Sequence, residues 1–145
     1  SSRVLELTGE SYTIYDVFNV PMLIHIPGMN RAQTIHTAGG HMDVMPTLLP
    51  LLGIRNTGTV MFGQNLLEAE AGFVCGQTHV SRGSFISDEV FFSKPHNNIL
   101  ENYDAYRYGT MERLDPALFA EQSAEAQKRI RDCEALLAAD DIFLP

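Results

Sequence analysis

Apolar and polar positions along the chain predict an ordered series of elements. Residues 1–19 are mixed, with a turn signal at Thr8-Gly9-Glu10, and read as a short helix or loop. Val20-Pro21-Met22-Leu23-Ile24-His25-Ile26-Pro27-Gly28 follows, an apolar run with one histidine, bracketed by prolines. A short run bounded in this way predicts a buried strand, with Pro21 at its first position and Pro27-Gly28 ending it. Its continuous apolar character predicts a sheet covered by helices on both faces. Asp43 to Leu52 predicts a helix. Met45, Leu48, Leu49 and Leu52 form its apolar stripe, Asp43 is its N-cap, Pro46 stands in the first turn and Gly53 closes it. Pro50 should kink or shorten its last turn. Residues 72–80 and 83–94 predict two antiparallel strands joined at Ser81-Arg82-Gly83, and 103–108 a third. Asp115-Pro116 opens a last helix that runs to about Ala139. Phe119, Ala126, Ile130, Cys133 and Leu137 lie on one face of it, and Glu121, Glu125, Lys128, Arg131 and Glu134 on the other. The pattern is too short for a free-standing coiled coil and fits docking on an apolar sheet face.

Charge narrows the functions available to such a chain. The formal net charge is -8, and no basic stripe interleaved with aromatics occurs. Nucleic-acid binding is disfavoured, because phosphate contacts need clustered Lys and Arg. Cys75 and Cys133 do not form a CxxC, so zinc-site spacing is absent. Whether they are two separate thiols or one disulfide stays open at this level. No apolar run approaches the roughly 18 residues of a membrane span. The start at Ser1-Ser2-Arg3, without Met, reads as a cut or an incomplete chain, so the lack of a targeting segment says nothing of a parent protein.

Candidate chemistry is sparse. There is no GxSxG, P-loop or GxGxxG, and Ser84 and Ser87 lie near no patterned His or Asp. Three of the five histidines, His25, His36 and His41, fall within residues 25–41. His36 and His41 flank Gly39-Gly40 just before Asp43, a pattern that places imidazoles near a metal or phosphate. The plainer alternative is a core-strand His25, with His36 and His41 as loop residues bonded to backbone.

Three motifs in order carry a resemblance. Val20 to Gly28 resembles the VPxxIxxPG strand of sulfatase-fold enzymes. Gly39-Gly40-His41-Met42-Asp43-Val44-Met45-Pro46-Thr47-Leu48-Leu49-Pro50-Leu51-Leu52-Gly53-Ile54 resembles their GGxxDxxPTLLxLLGI helix, and Phe62-Gly63-Gln64-Asn65-Leu66-Leu67 their FGxxLL segment. The chain thus resembles the C-terminal part of a sulfatase or alkaline-phosphatase-superfamily enzyme. Within it, the lipoteichoic acid synthases and similar membrane-anchored phosphoglycerol transferases are the most similar group. The resemblance implies an α/β fold: a sulfatase-like mixed sheet with covering helices over residues 1–70, then a small antiparallel hairpin region and an amphipathic helix over 71–145.

The family's threonine nucleophile, or modified Cys or Ser, and its Asp-His metal pair have no counterpart in residues 1–145, and no Asp-His dipeptide occurs. No catalytic residue and no metal ligand is therefore carried over. For an intact parent the resemblance implies manganese or another divalent metal polarising a phosphate oxygen, and a covalent enzyme–phosphoglycerol intermediate. It also implies an extracytoplasmic location for this region, an upstream catalytic half as partner, and a phosphoglycerol lipid or polymer as substrate. His36 and His41 are the candidate substrate-binding residues. A sulfatase or phosphodiesterase of the same fold, and a non-catalytic binding module, are the alternatives. The isolated chain is expected to be inactive and prone to self-association.

Overall fold

The computed structural model of the chain describes residues 6–7, 9, 14–30, 32–76, 80–97, 99–140 and 143. They group into two compact units, 1–33 and 34–145.

In the first unit, α1 spans Ile14–Phe18 and ends where the Asn19 amide reaches the Tyr15 carbonyl. The apolar run after it is not a strand, which corrects the expectation for 20–26. The run is extended and ends in a turn at Pro27-Gly28, with the Met29 amide on the Ile26 carbonyl. Leu23 is 91% exposed, and His25 is exposed instead of sitting in a core. The physical reason is pairing. An extended run becomes a strand only when a neighbour takes its N–H and C=O groups, and the first unit contains no other strand among the described residues.

In the second unit, a 3-10 turn at His41–Asp43 leads directly into α2, Val44–Leu51. The helix ends as its sequence predicts. Gly53 has φ +70, the Gly53 amide donates to Pro50 and the Ile54 amide to Leu49, which is the paired-bond closure that a left-handed residue allows. Its buried side is not the predicted stripe. Pro46 and Thr47 are buried, whereas Met45 is 56% and Leu52 69% exposed. The helix is held from its Thr47 side, where Leu66 N donates to Thr47 Oγ1 at 3.0 Å, and the Met45–Leu52 side meets no cover among the described residues.

Four strands follow: β1 Phe73–Gly76, β2 Ser84–Ser87, β3 Val90–Ser93 and β4 Asp104–Arg107. They pair antiparallel in chain order. The β1–β2 pairing and the third predicted strand, now β4, are as expected, but the predicted strand 83–94 is two strands. The chain reverses at Ser87-Asp88-Glu89, where Ser87 Oγ accepts from Glu89 N at 3.3 Å and Val90 N at 3.1 Å. Register aligns Cys75, Phe85, Phe92 and Ala105 in one cross-strand row. That row, with Val90 and Ala126, forms the core. Phe85 stacks on Phe73 at 5.0 Å and on Phe92 at 5.2 Å.

Asp115 Oδ1 accepts from Ala117 N at 2.9 Å and caps a 3-10 turn at Pro116–Phe119, which continues as α3, Ala120–Ala138. α3 lies across β1 and β2. Ser123, Ala126 and Ile130 are its buried residues. Phe119 and Cys133 are partly buried as predicted, but Leu137 is 59% exposed, because the helix outruns the sheet by its last turn. On the opposite face of the sheet, the backbone at Gly40 lies against Val74. The sheet is therefore a middle layer, and adjacent Phe91 and Phe92 are both buried.

Candidate functional site

The segment that carries the sequence motifs, 38–43, is held by two carboxylates. Asp43 is buried. Its Oδ2 accepts from Gly40 N at 2.7 Å and its Oδ1 from Gln64 N at 2.8 Å. Asp43 is thus not the side-chain cap of α2, as its position suggested; it closes the preceding 3-10 turn and ties that turn to the 62–67 loop. Gly63 is required there, since a Cβ would collide with the Met42 carbonyl. Asp88, in the β2–β3 turn, accepts from Ala38 N at 2.6 Å and Gly72 N at 2.8 Å. Gln64 Nε2 also donates to the Ala71 carbonyl at 2.9 Å. The 39–54 and 62–67 motifs are in this way brought into contact, through Gln64 N on Asp43, Leu66 N on Thr47 and the close approach that Gly63 allows.

This geometry limits the chemistry. The amides of Ala38, Gly40, Gln64 and Gly72 all point at Asp43 or Asp88. Those four donors are spent on carboxylates and cannot cradle a phosphate or sulfate. Ser84 Oγ accepts from Lys94 N at 2.9 Å, and Ser87 is occupied by its turn, so both serines have structural partners. Ser81 Oγ lies 2.9 Å from His96 Nδ1 on the surface, a pair that the sequence reading did not single out. His36 and His41 flank the clipped glycine pair and are exposed. His79 lies outside the described residues. Among the described residues no three His, Cys, Asp or Glu side chains are grouped to hold a metal. The donor set of the described residues does not fit a divalent ion.

Asp88 was not legible as a site residue. Its partners lie 50 and 16 positions away, and the carboxylate stands in a run that alternates like one long strand. Asp43 was legible from its motif, but its partner at Gln64 was not.

No protein-family model matches the chain. Curated relatives do. The lipoteichoic acid synthase-like protein YvgJ of Bacillus subtilis (strain 168) is 38% identical over 111 residues, 68% of this chain and 17% of its own length. Lipoteichoic acid synthase 1 of the same organism is 38% identical over 68 residues, 45% of this chain and 10% of that protein. The crystal structure of the lipoteichoic acid synthase LtaP from Listeria monocytogenes superposes with a TM-score of 0.65 at 23% identity, covering 79% of this chain and 28% of LtaP. The fold is accordingly the mixed α/β fold found in LtaP, a four-stranded antiparallel sheet with a C-terminal helix. Within that fold the chain is lipoteichoic acid synthase-like and corresponds to the C-terminal part of those proteins. It spans less than a fifth of the length of either curated relative.

Proposed function

We propose that this chain is the C-terminal portion of an extracytoplasmic, membrane-anchored, metal-dependent phosphoglycerol transferase of the lipoteichoic acid synthase type. In this reading the nucleophile and the divalent metal, manganese or another, belong to an upstream catalytic half. The observation that carries it is the 38% identity to YvgJ across 68% of the chain, with the 39–54 and 62–67 motifs joined by Asp43 and Thr47. The chain's own contribution is architectural. Its clipped 38–43 segment and its sheet form a rigid wall, and His36 and His41 stand on it as the substrate-facing side chains. Their exposure beside a segment fixed from within supports that role. No helix among the described residues is long and apolar enough to cross a membrane, so the anchor in this reading also lies outside the described residues.

The test compares the chain alone with its full parent polypeptide, using a chromogenic phosphodiester, a sulfate ester and a glycerol-phosphate lipid donor, with manganese added. The expected result is no turnover by the chain alone. The parent should transfer phosphoglycerol and lose activity with a chelator, and the double variant His36→Ala, His41→Ala should raise KM more than it lowers kcat. Chelator-sensitive turnover by residues 1–145 alone overturns the reading. A parent that cleaves only the sulfate ester replaces it with a sulfatase.

A further inference from the structure

The β2–β3 reversal holds more of the molecule than its length suggests. It is fixed from within by Ser87 Oγ, which accepts from the Glu89 and Val90 amides. It is fixed from the side by the Glu89 carbonyl, which accepts from Tyr108 N at 2.7 Å just beyond β4. Asp88 stands on this anchored turn and uses both carboxylate oxygens on backbone. Oδ1 accepts from Ala38 N at 2.6 Å and Oδ2 from Gly72 N at 2.8 Å. One side chain thus bridges the 38–40 segment and the residue just before β1.

The same segment is laid closely along β1. A Cβ at Gly72 would collide with the Ala38 backbone, and one at Gly40 with the Val74 side chain. The steps from 38 to 40 and from 72 to 74 are equal, so 38–40 runs along β1 in the strand's own direction, on the face opposite Phe73 and Cys75. His36 lies two residues before Ala38 and His41 one after Gly40, and both are exposed. Asp43 ties the Gly40 end of the segment. Asp88 is the side chain that ties the Ala38 end.

We infer that Asp88 is a positioning residue for substrate binding: it pins the 36–41 segment to the sheet and so holds His36 and His41 where a phosphoglycerol headgroup meets them. The inference rests on the phosphoglycerol-transferase reading above. Its physical basis is preorganisation. A segment pinned before the substrate arrives loses little freedom on binding, whereas a segment tied at one end must be ordered by the substrate itself. Releasing the Ala38 end lowers the population of the binding-competent arrangement and weakens apparent affinity by the same factor. Asp88 touches no reacting atom in this role, so the loss falls on KM and not on the chemical step. The carboxylate is exposed, so water replaces it in part and the loss is moderate.

Two measurements test it. In the 145-residue chain, NMR follows amide hydrogen exchange in the unmodified protein, Asp88→Ala and Asp88→Asn. The Ala38 and Gly72 amides should exchange roughly fivefold faster in Asp88→Ala, and less so in Asp88→Asn, which keeps one acceptor oxygen. The Gly40 and Gln64 amides, bound to Asp43, should keep their rates. In the full parent polypeptide, with manganese and a glycerol-phosphate lipid donor, Asp88→Ala should raise KM about fivefold with kcat within about twofold, and Asp88→Asn should recover part of the loss. In the His36→Ala, His41→Ala background, Asp88→Ala should raise KM no further, because the groups that it positions are gone. Unchanged exchange at Ala38 and Gly72, an unchanged KM, or the same KM increase in both backgrounds each overturns the inference while phosphoglycerol transfer by the parent stands. A parent that transfers no phosphoglycerol overturns the enzymatic reading and this inference with it.

Discussion

Asp43 shows what a single carboxylate accomplishes once the chain folds. From sequence it reads as an N-cap, because an aspartate before an apolar helical stripe ordinarily accepts one amide from the first turn. In the structure it is buried and accepts two amides, one local from Gly40 and one from Gln64, 21 residues away. The local bond was legible from spacing. The distant bond was not, since no periodicity relates 43 to 64. Replacing Asp43 with Ala leaves both donors without their acceptor. Charged hydrogen bonds contribute roughly 1.5–3 kcal/mol each, so Asp43→Ala should cost about 3–6 kcal/mol. Asp43→Asn keeps one acceptor oxygen and should recover part of that loss. Asp88 makes two equally short bonds from an exposed position, where water replaces a lost partner, and Asp88→Ala should cost only about 1 kcal/mol. Urea unfolding of the three variants checks the order. Equal losses for Asp43→Ala and Asp88→Ala would show that burial does not set the energetics of this segment.

Among the elements, the two principal helices differ in how well their sequences foretold their surroundings. α3 has a 3.6-residue pattern, a capping aspartate and a proline at N1, and all of these features operate within the element or against the adjacent sheet. Its start and buried face were therefore legible. The exception is Leu137, where the pattern continues beyond the sheet that covers it. The prediction at this scale follows from that difference. Ile130, 6% exposed, should cost about 2–5 kcal/mol on truncation to Ala. Leu137→Ala should change stability by less than about 0.5 kcal/mol. Denaturant midpoints at unchanged slope measure both, and comparable losses would mean that something covers the last turn of α3. α2 and the run at 20–26 are the contrary case. Their apolar patterns are real, but what they face is not among the described residues, so the predicted stripe and strand remain uncovered. The missed turn at Asp88 has another origin: it contains no Gly, Pro or Asn, and a serine hydroxyl bends the chain instead.

On the scale of the whole molecule, the exposed apolar side chains make a prediction about association. In unit 34–145, Met42, Met45, Leu52, Ile54 and Met61 are all exposed around α2 and the segment after it. In unit 1–33, Val20, Met22, Leu23 and Ile24 are exposed on an extended backbone without a pairing partner among the described residues. Scattered apolar residues on a surface need no explanation, but consecutive ones on an unpaired extended segment form a template for strand addition. Clustered ones around a helix form a patch of the kind that marks an interaction site. The net charge of -8 opposes association through long-range repulsion, and salt screens that repulsion while leaving apolar contact intact. The isolated chain should therefore bind a hydrophobic dye and self-associate, more at 0.5 M than at 0.05 M salt. Leu23→Lys should reduce association through the extended run, and Met45→Lys with Leu52→Lys should reduce it through the helix patch. Supplying the upstream part of a lipoteichoic acid synthase-like parent should suppress dye binding by covering the same residues. Light scattering across the two salt concentrations, with and without the substitutions, decides between these surfaces. A 16.1 kDa monomer that ignores both salt and dye would mean that these side chains cover one another in solution, and would favour a self-sufficient binding module over a portion of a larger enzyme.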